Sequence, residues 1–180
     1  MKNFLKIGQG VDVIPLVLAI KHQSALWDSE NIRKTYAEDS PHREVSDILL
    51  RFSDPSSKEI GDELVCENTE AMRALPQARE LVFSLMARVQ GVMLGRVMIT
   101  RLAPGGRIYP HADIRGRYAN TYKRFHIVLQ SEPGCIFKAG DEQVYMRPGD
   151  VWDFNAHAVH EVVNGSANDR IHLIVDIKTE

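Results

Sequence analysis

Three side chains in the C-terminal half of this sequence have the types and spacing to hold a metal ion. His111 and Asp113 close the stretch PGGRIYPHAD, from Pro104 to Asp113. On an extended strand, residues i and i+2 point to the same side. An imidazole nitrogen and a carboxylate oxygen would then face one point. His160 follows much later, in the run AVHEVV. Two histidines and one carboxylate leave positions open on a metal, an arrangement suited to non-haem Fe(II) and the binding of O2. Arg170 opens the apolar run RIHLIVD. A guanidinium there could grip a carboxylate through a bidentate fork. Buried without such an anion or an acidic neighbour, it would be costly.

His-x-Asp by itself fits a polar surface turn better than a metal site; the full set is what points to chemistry. Other candidates are weaker. His157 lies three residues before His160, so on a strand the two face opposite ways. His172 shares the parity of Arg170 and Ile174 and could point inward, or serve as a satisfied core histidine. His22 and His42 read as structural or surface residues. Arg107, Arg115, Arg117 and Lys123 form a basic cluster that reads as a solvated loop, or as a receiver for an acidic substrate beside the metal. Cys66 and Cys135 lack the His–Cys spacing of a zinc site.

These groups must be positioned by a mainly β framework. Short β-rich runs at 96–102, 107–111, 125–130, 135–138, 142–147, 150–154, 158–163 and 171–177 alternate with turns such as Pro104-Gly105-Gly106, Pro148-Gly149-Asp150 and Asn164-Gly165. Strands at this spacing predict a sandwich or jelly roll. The N-terminal half is mixed. Residues 12–22 read as a helix, 45–52 as a strand, and the polar stretch 53–63 as an exposed loop. Asn68 or Thr69 could cap a short helix ending near Leu75. Pro76 suits the first turn of the next helix. That helix carries apolar residues at 78, 81, 82, 85, 86 and 89, ends at Gly91, and should lie on a sheet. The expected architecture is a mixed α+β, mainly β chain. Residues 1–180 form one domain, with a helical and mixed part (1–94) packed on one face of a β core (95–180).

Composition narrows the function. The chain has 180 residues, 44% hydrophobic and 26% charged, with a formal net charge of −2. This is a globular composition without the basic field expected of a nucleic-acid binder. The apolar run from Val11 to Ile20 contains Asp12 and Pro15, and reads as an amphipathic helix rather than a leader or membrane span. Two cysteines are too few for a disulfide framework. The expected protein is cytoplasmic, with no nucleic-acid or membrane partner.

The stretches RLAPGGRIYPHAD, RFHIVLQ, GDVWDFNAHAVHEVVN and RIHLIVDI together resemble the aspartyl/asparaginyl β-hydroxylase family of Fe(II)/2-oxoglutarate-dependent dioxygenases. Upstream, Trp27, Arg33, His42 and Arg51 are compatible with it but less specific. The resemblance implies a double-stranded β-helix, or jelly-roll, core. It implies Fe(II) held by His111, Asp113 and His160, with 2-oxoglutarate as cosubstrate and O2 as oxidant. The ten-residue step to Arg170 selects His160 over His157. The resemblance places Arg170 on the distal carboxylate of 2-oxoglutarate, with the Thr100 hydroxyl touching the same group. Arg124 and His126, in RFH, match a pair lining the cosubstrate and substrate pocket. The activity implied is hydroxylation of a C–H bond of an amino acid, free or as a protein side chain, with release of succinate and CO2. Characterised animal members can lack the carboxylate ligand, whereas this chain has Asp113. They act on small extracellular domains, so the family name does not fix the substrate here.

A rival reading comes from the same fold. RPGDVWDFNAHAVHEVVN also resembles the second half of a cupin, a metal-dependent isomerase or small-molecule-binding protein. Arg170 and the RFH run favour the dioxygenase, because a generic cupin requires neither. A non-catalytic interaction module would not need His111, Asp113 and His160 to converge.

Overall fold

The computed structural model describes residues 2–30, 32–35, 39–54, 64–114 and 116–180. Most of the loop expected at 53–63, and Arg115 of the basic cluster, lie outside them. Two antiparallel sheets face each other. The strands are β1 (Phe4–Gly8), β2 (Val45–Phe52), β3 (Glu67–Asn68), β4 (Gly91–Leu102), β5 (Arg107–His111), β6 (Lys123–Gln130), β7 (Cys135–Ala139), β8 (Glu142–Val144), β9 (Val151–Phe154), β10 (His160–Asn164) and β11 (Arg170–Thr179). The larger sheet has the order β1-β9-β6-β11-β4-β2-β3, the smaller β5-β10-β7-β8. This is the expected double-stranded β-helix core.

The alternation of side chains along each strand splits the larger sheet into two working faces. Ile48, Leu50, Val97, Ile99, Phe125, Ile127, Leu129, Leu173, Val175 and Ile177 face outward onto the helices. There they meet α1 (Ile14–His22), α3 (Glu70–Ala74) and α4 (Gln77–Arg88). α4 turns Ala78, Leu81, Val82 and Leu85 inward, the helical face that its spacing predicts. The opposite face of the sheet joins the smaller one through Phe4, Val45, Leu102, Val128, Trp152 and Phe154, packed on Ile108, Phe137, Ala139 and Val162. Arg170, His172, Ile174 and Asp176 share this inner parity. Among the described residues, no helix is long and apolar enough to cross a membrane.

Three details differ from the sequence reading. β1 was not anticipated; it adds to the sheet by pairing with β9, a tertiary contact that five residues cannot announce. Gly91 does not end α4: Gln90 takes the left-handed backbone (φ 52°), and Gly91 begins β4. A β-carbon on Gly91 would lie 2.5 Å from Ile177 Cγ2, so glycine there serves close strand packing. Thr69 stands at the N-cap of α3, but its hydroxyl donates to the carbonyl of Leu49 at 2.5 Å instead of capping the helix.

Candidate active site

His111 ends β5, an edge strand of the smaller sheet, and edge strands tolerate the proline at 110. The register runs Ile108 opposite Val162, then His111 opposite His160, with a bulge between. The extra residue turns His111 inward beside His160. The imidazole centroids lie 4.1 Å apart. Each ring is oriented by its own backbone: His111 Nδ1 donates to Tyr109 O at 2.7 Å, and His160 Nδ1 donates to Ala158 O at 2.9 Å. The Nε2 lone pairs are thereby free to ligate. Burial holds His111 below the ordinary imidazole range. Burial, then the neighbouring His111, pushes His160 down to about 4. Both rings are therefore neutral at pH 7, the form a metal takes.

Asp113 does not sit on the strand with His111, as the i, i+2 argument required, because β5 stops at His111. The connection places it instead, with its backbone N–H donating to Ala156 O at 2.9 Å. Its Oδ1 lies 3.8 Å from His111 Nε2. The ligand atoms of His111, Asp113 and His160 fall within 4.8 Å of one another. His111 Nε2 is buried and makes no hydrogen bond. A buried lone pair aimed at a carboxylate and a second imidazole fits a divalent cation of the kind two nitrogens and one oxygen select.

Arg124 supports this group rather than standing free. It projects from β6 opposite Asp176 of β11. Its Nε and Nη2 donate to the two oxygens of Asp176 at 2.8 and 2.9 Å, and its Nη1 donates to Asp113 Oδ2. Burial raises the Asp113 carboxyl, but Arg124 together with His160, His111 and Arg33 holds the group ionised below its usual range. Behind Asp176, the Tyr118 hydroxyl donates to it at 3.1 Å and accepts from the Arg96 backbone N–H at 2.6 Å.

Arg170 has the opposite character. It is 3% exposed, and among the described residues it has no acidic partner. Its Nη2 donates to His172 Nδ1 at 3.2 Å, and its Cζ lies 5.6 Å from the Phe137 ring. Burial pushes its pKa down to about 10. The same Phe137 ring lies 6.1 Å from that of His160, so Phe137 stands between the metal-type cluster and the lone guanidinium. His126, on the same inner face, meets His172 Nδ1 through its own Nδ1 at 3.1 Å. The Thr100 hydroxyl donates to Asp47 Oδ1 at 2.8 Å and accepts from Arg33 Nη1 at 3.2 Å.

Some neighbours had only weak signals in the sequence, or none. The His42 ring packs edge-on to His111, with centroids 4.7 Å apart. Burial, then Arg33, keeps it well below the ordinary imidazole range. Arg33 reaches Asp47 from α2 (Ile32–Thr35) at 2.9 Å. Asp47 and Asp176 carried no local motif; an acidic residue inside an apolar strand pattern was the one available signal. His157 lies outside the cluster, its ring Nε2 2.8 Å from Ala119 O.

Comparison with known proteins bears on the family and the fold. The aspartyl/asparaginyl β-hydroxylase family model matches residues 24–180. An L-proline cis-4-hydroxylase of Rhizobium meliloti (strain 1021) is 30% identical over 80 residues, which is 44% of this chain and 28% of the relative. An L-proline cis-3-hydroxylase of a Streptomyces species is 35% identical over 71 residues, 38% of this chain and 24% of the relative. The match thus spans about a quarter of the length of these relatives. A Pseudomonas putida prolyl-4-hydroxylase structure superposes with a TM-score of 0.54 at 13% identity, covering 98% of this chain and 91% of that one. A 2OG-Fe(II) oxygenase family protein from Burkholderia pseudomallei gives 0.54 at 13% identity, covering 74% and 67%. At this identity the two structures bear on the fold alone. With the family model matching most of its length, the chain belongs to the aspartyl/asparaginyl β-hydroxylase family of Fe(II)/2-oxoglutarate-dependent dioxygenases.

Proposed function

We propose that this protein is a 2-oxoglutarate-dependent dioxygenase that hydroxylates a C–H bond of an amino acid, with free L-proline or a prolyl residue as the first substrate class to test. The observation that carries the reading is a pairing within one sandwich. A half-buried His–Asp–His cluster has a buried imidazole nitrogen without a hydrogen bond among the described residues, and a buried arginine on the same inner core has no acid among them. The cluster supplies a site for a cation, and the arginine calls for a dicarboxylate. The names of the relatives supply the substrate class.

In this reading His111, Asp113 and His160 hold Fe(II). Iron held there would supply oxidative chemistry in which O2 is consumed and 2-oxoglutarate is converted to succinate and CO2. The chain's own work is placement. Tyr109 O and Ala158 O fix the tautomers of the two histidines. Arg124, locked by Asp176, keeps Asp113 ionised and aimed. Arg170 receives the far carboxylate of the cosubstrate, and Phe137 and Phe154 wall off water between the two ends. Arg124 and His126 line the pocket on the β6 side.

The test is anaerobic titration of the protein with Fe(II) and 2-oxoglutarate, following the visible charge-transfer band of the chelate. It is paired with a succinate-release assay on L-proline and prolyl peptides. A band that disappears in His160→Ala, and succinate formed in step with a hydroxylated product, is the expected result. Divalent-metal binding without a band would refute the proposal and favour a cupin-type activity.

A further inference from the structure

The polar pairings around Arg170 determine more than its own role. An arginine guanidinium only donates, so the contact of Arg170 Nη2 with His172 Nδ1 at 3.2 Å makes that nitrogen the acceptor. His172 therefore carries its proton on Nε2. His126 Nδ1 lies 3.1 Å from the same acceptor, so it must be the donor, and its own Nε2 is left as a lone pair. Burial, reinforced by Arg170, keeps both rings well below the ordinary imidazole range. The assignment is thus set by geometry and holds through neutral pH. His172 is completely buried, and its Nε2–H makes no hydrogen bond. A buried donor in that condition has a strong need for an acceptor.

Thr100 has no free proton in this structure for the anion that the family resemblance assigns to it. It stands directly opposite His172 on β4, but its single hydroxyl proton is committed to Asp47. Its oxygen already accepts from Arg33. A carboxylate on Arg170 that approached Thr100 would meet an oxygen with no proton to offer. One register position across, the His172 ring offers a free one on the same inner face as Arg170.

We propose that His172, rather than Thr100, is the second donor to the distal carboxylate of 2-oxoglutarate, its Nε2–H tautomer imposed by Arg170. The inference rests on the dioxygenase reading above. His172 is a cosubstrate-binding residue, and His126 is a positioning residue that helps to hold its ring.

Anaerobic Fe(II)-loaded protein, titrated with 2-oxoglutarate and read by the chelate band, tests this without turnover. His172→Phe should weaken binding about tenfold, the effect of losing one hydrogen bond to a charged group. His172→Gln, whose amide can place a donor near the Nε2 position, should restore binding to within about threefold of wild type. Thr100→Val should also stay within about threefold. Unchanged affinity in His172→Phe, with a loss in Thr100→Val, overturns the inference and leaves the dioxygenase reading standing. Absence of the band in the wild-type protein removes that reading and the inference with it. Should His172→Phe not fold, 15N NMR of the Zn(II)-loaded wild type decides. A protonated Nε2 on His172 that shifts on adding 2-oxoglutarate supports the inference. A proton on Nδ1, or no shift at saturation, refutes it.

Discussion

Replacing Arg170 by methionine separates the stability of this protein from its use of an anion. Arg170 is buried, and among the described residues it has no acidic partner. Burial moves its pKa from an ordinary 12.5 to about 10, which corresponds to roughly 3 kcal/mol against the charged form. The sign follows from the direction. The folded pKa is depressed, so the penalty is fully present at pH 7.5 and shrinks only as the pH rises toward and past 10. Methionine fills much of the same space without charge. Against the relief stand one lost hydrogen bond to His172, about 1 kcal/mol, and a packing mismatch of about 1 kcal/mol. The ligand-free Arg170→Met protein should therefore be more stable than wild type by about 1–2 kcal/mol, or roughly 2–8 °C in Tm for a chain of this length. Saturating 2-oxoglutarate on the metal-loaded protein should reverse the order. At 100 times its Kd, a ligand adds about 2.7 kcal/mol to the wild type, and the variant should gain little. Scanning calorimetry of both proteins with and without 2-oxoglutarate measures all four states. A ligand-free variant less stable than wild type by more than about 1 kcal/mol, or an equal upshift in both proteins, would refute the reasoning.

Three other perturbations probe the supports of the site. Asp176→Asn removes the bidentate partner of Arg124, so Arg124 competes harder for Asp113; Fe(II) affinity should fall about 10–100-fold, as read by metal titration. Gly95→Ala puts a methyl 2.5 Å from the Tyr118 hydroxyl and 2.9 Å from the Tyr122 ring; urea unfolding should show a loss of about 1–3 kcal/mol, and an unchanged midpoint would contradict the packing described. Metal-free protein should weaken in acid, because His42, His111, His126, His160 and His172 all have folded pKa values depressed by burial. The unfolded chain binds their protons first as the pH falls through 6.5. Each group still neutral in the fold should remove about 1 kcal/mol between pH 6.5 and 5.5. Urea midpoints that do not move over that range would count against this burial.

The local code of this sequence is enough for most of its elements and for its family. Short β-branched and apolar runs bounded by turn residues marked β2 and the strands from β4 onward, because strands buried on both faces, such as β11, write a continuous apolar run between turns. The 3.6-residue spacing marked α4. His111, Asp113, His160 and Arg170 could be named because each lies in a distinctive short motif. How they meet was decided only by tertiary structure. The bulge that turns His111 toward His160 depends on the register between β5 and β10, and register is a property of two strands. Asp113 is placed by a backbone bond to Ala156, not by strand parity. The pairing of Arg124 with Asp176, the isolation of Arg170, the commitment of the Thr100 proton to Asp47 and the approach of His42 all join residues distant in sequence. Such contacts follow from which side chains share one closed, low-dielectric interior, where a charge or a proton must find its partner across strands rather than along them.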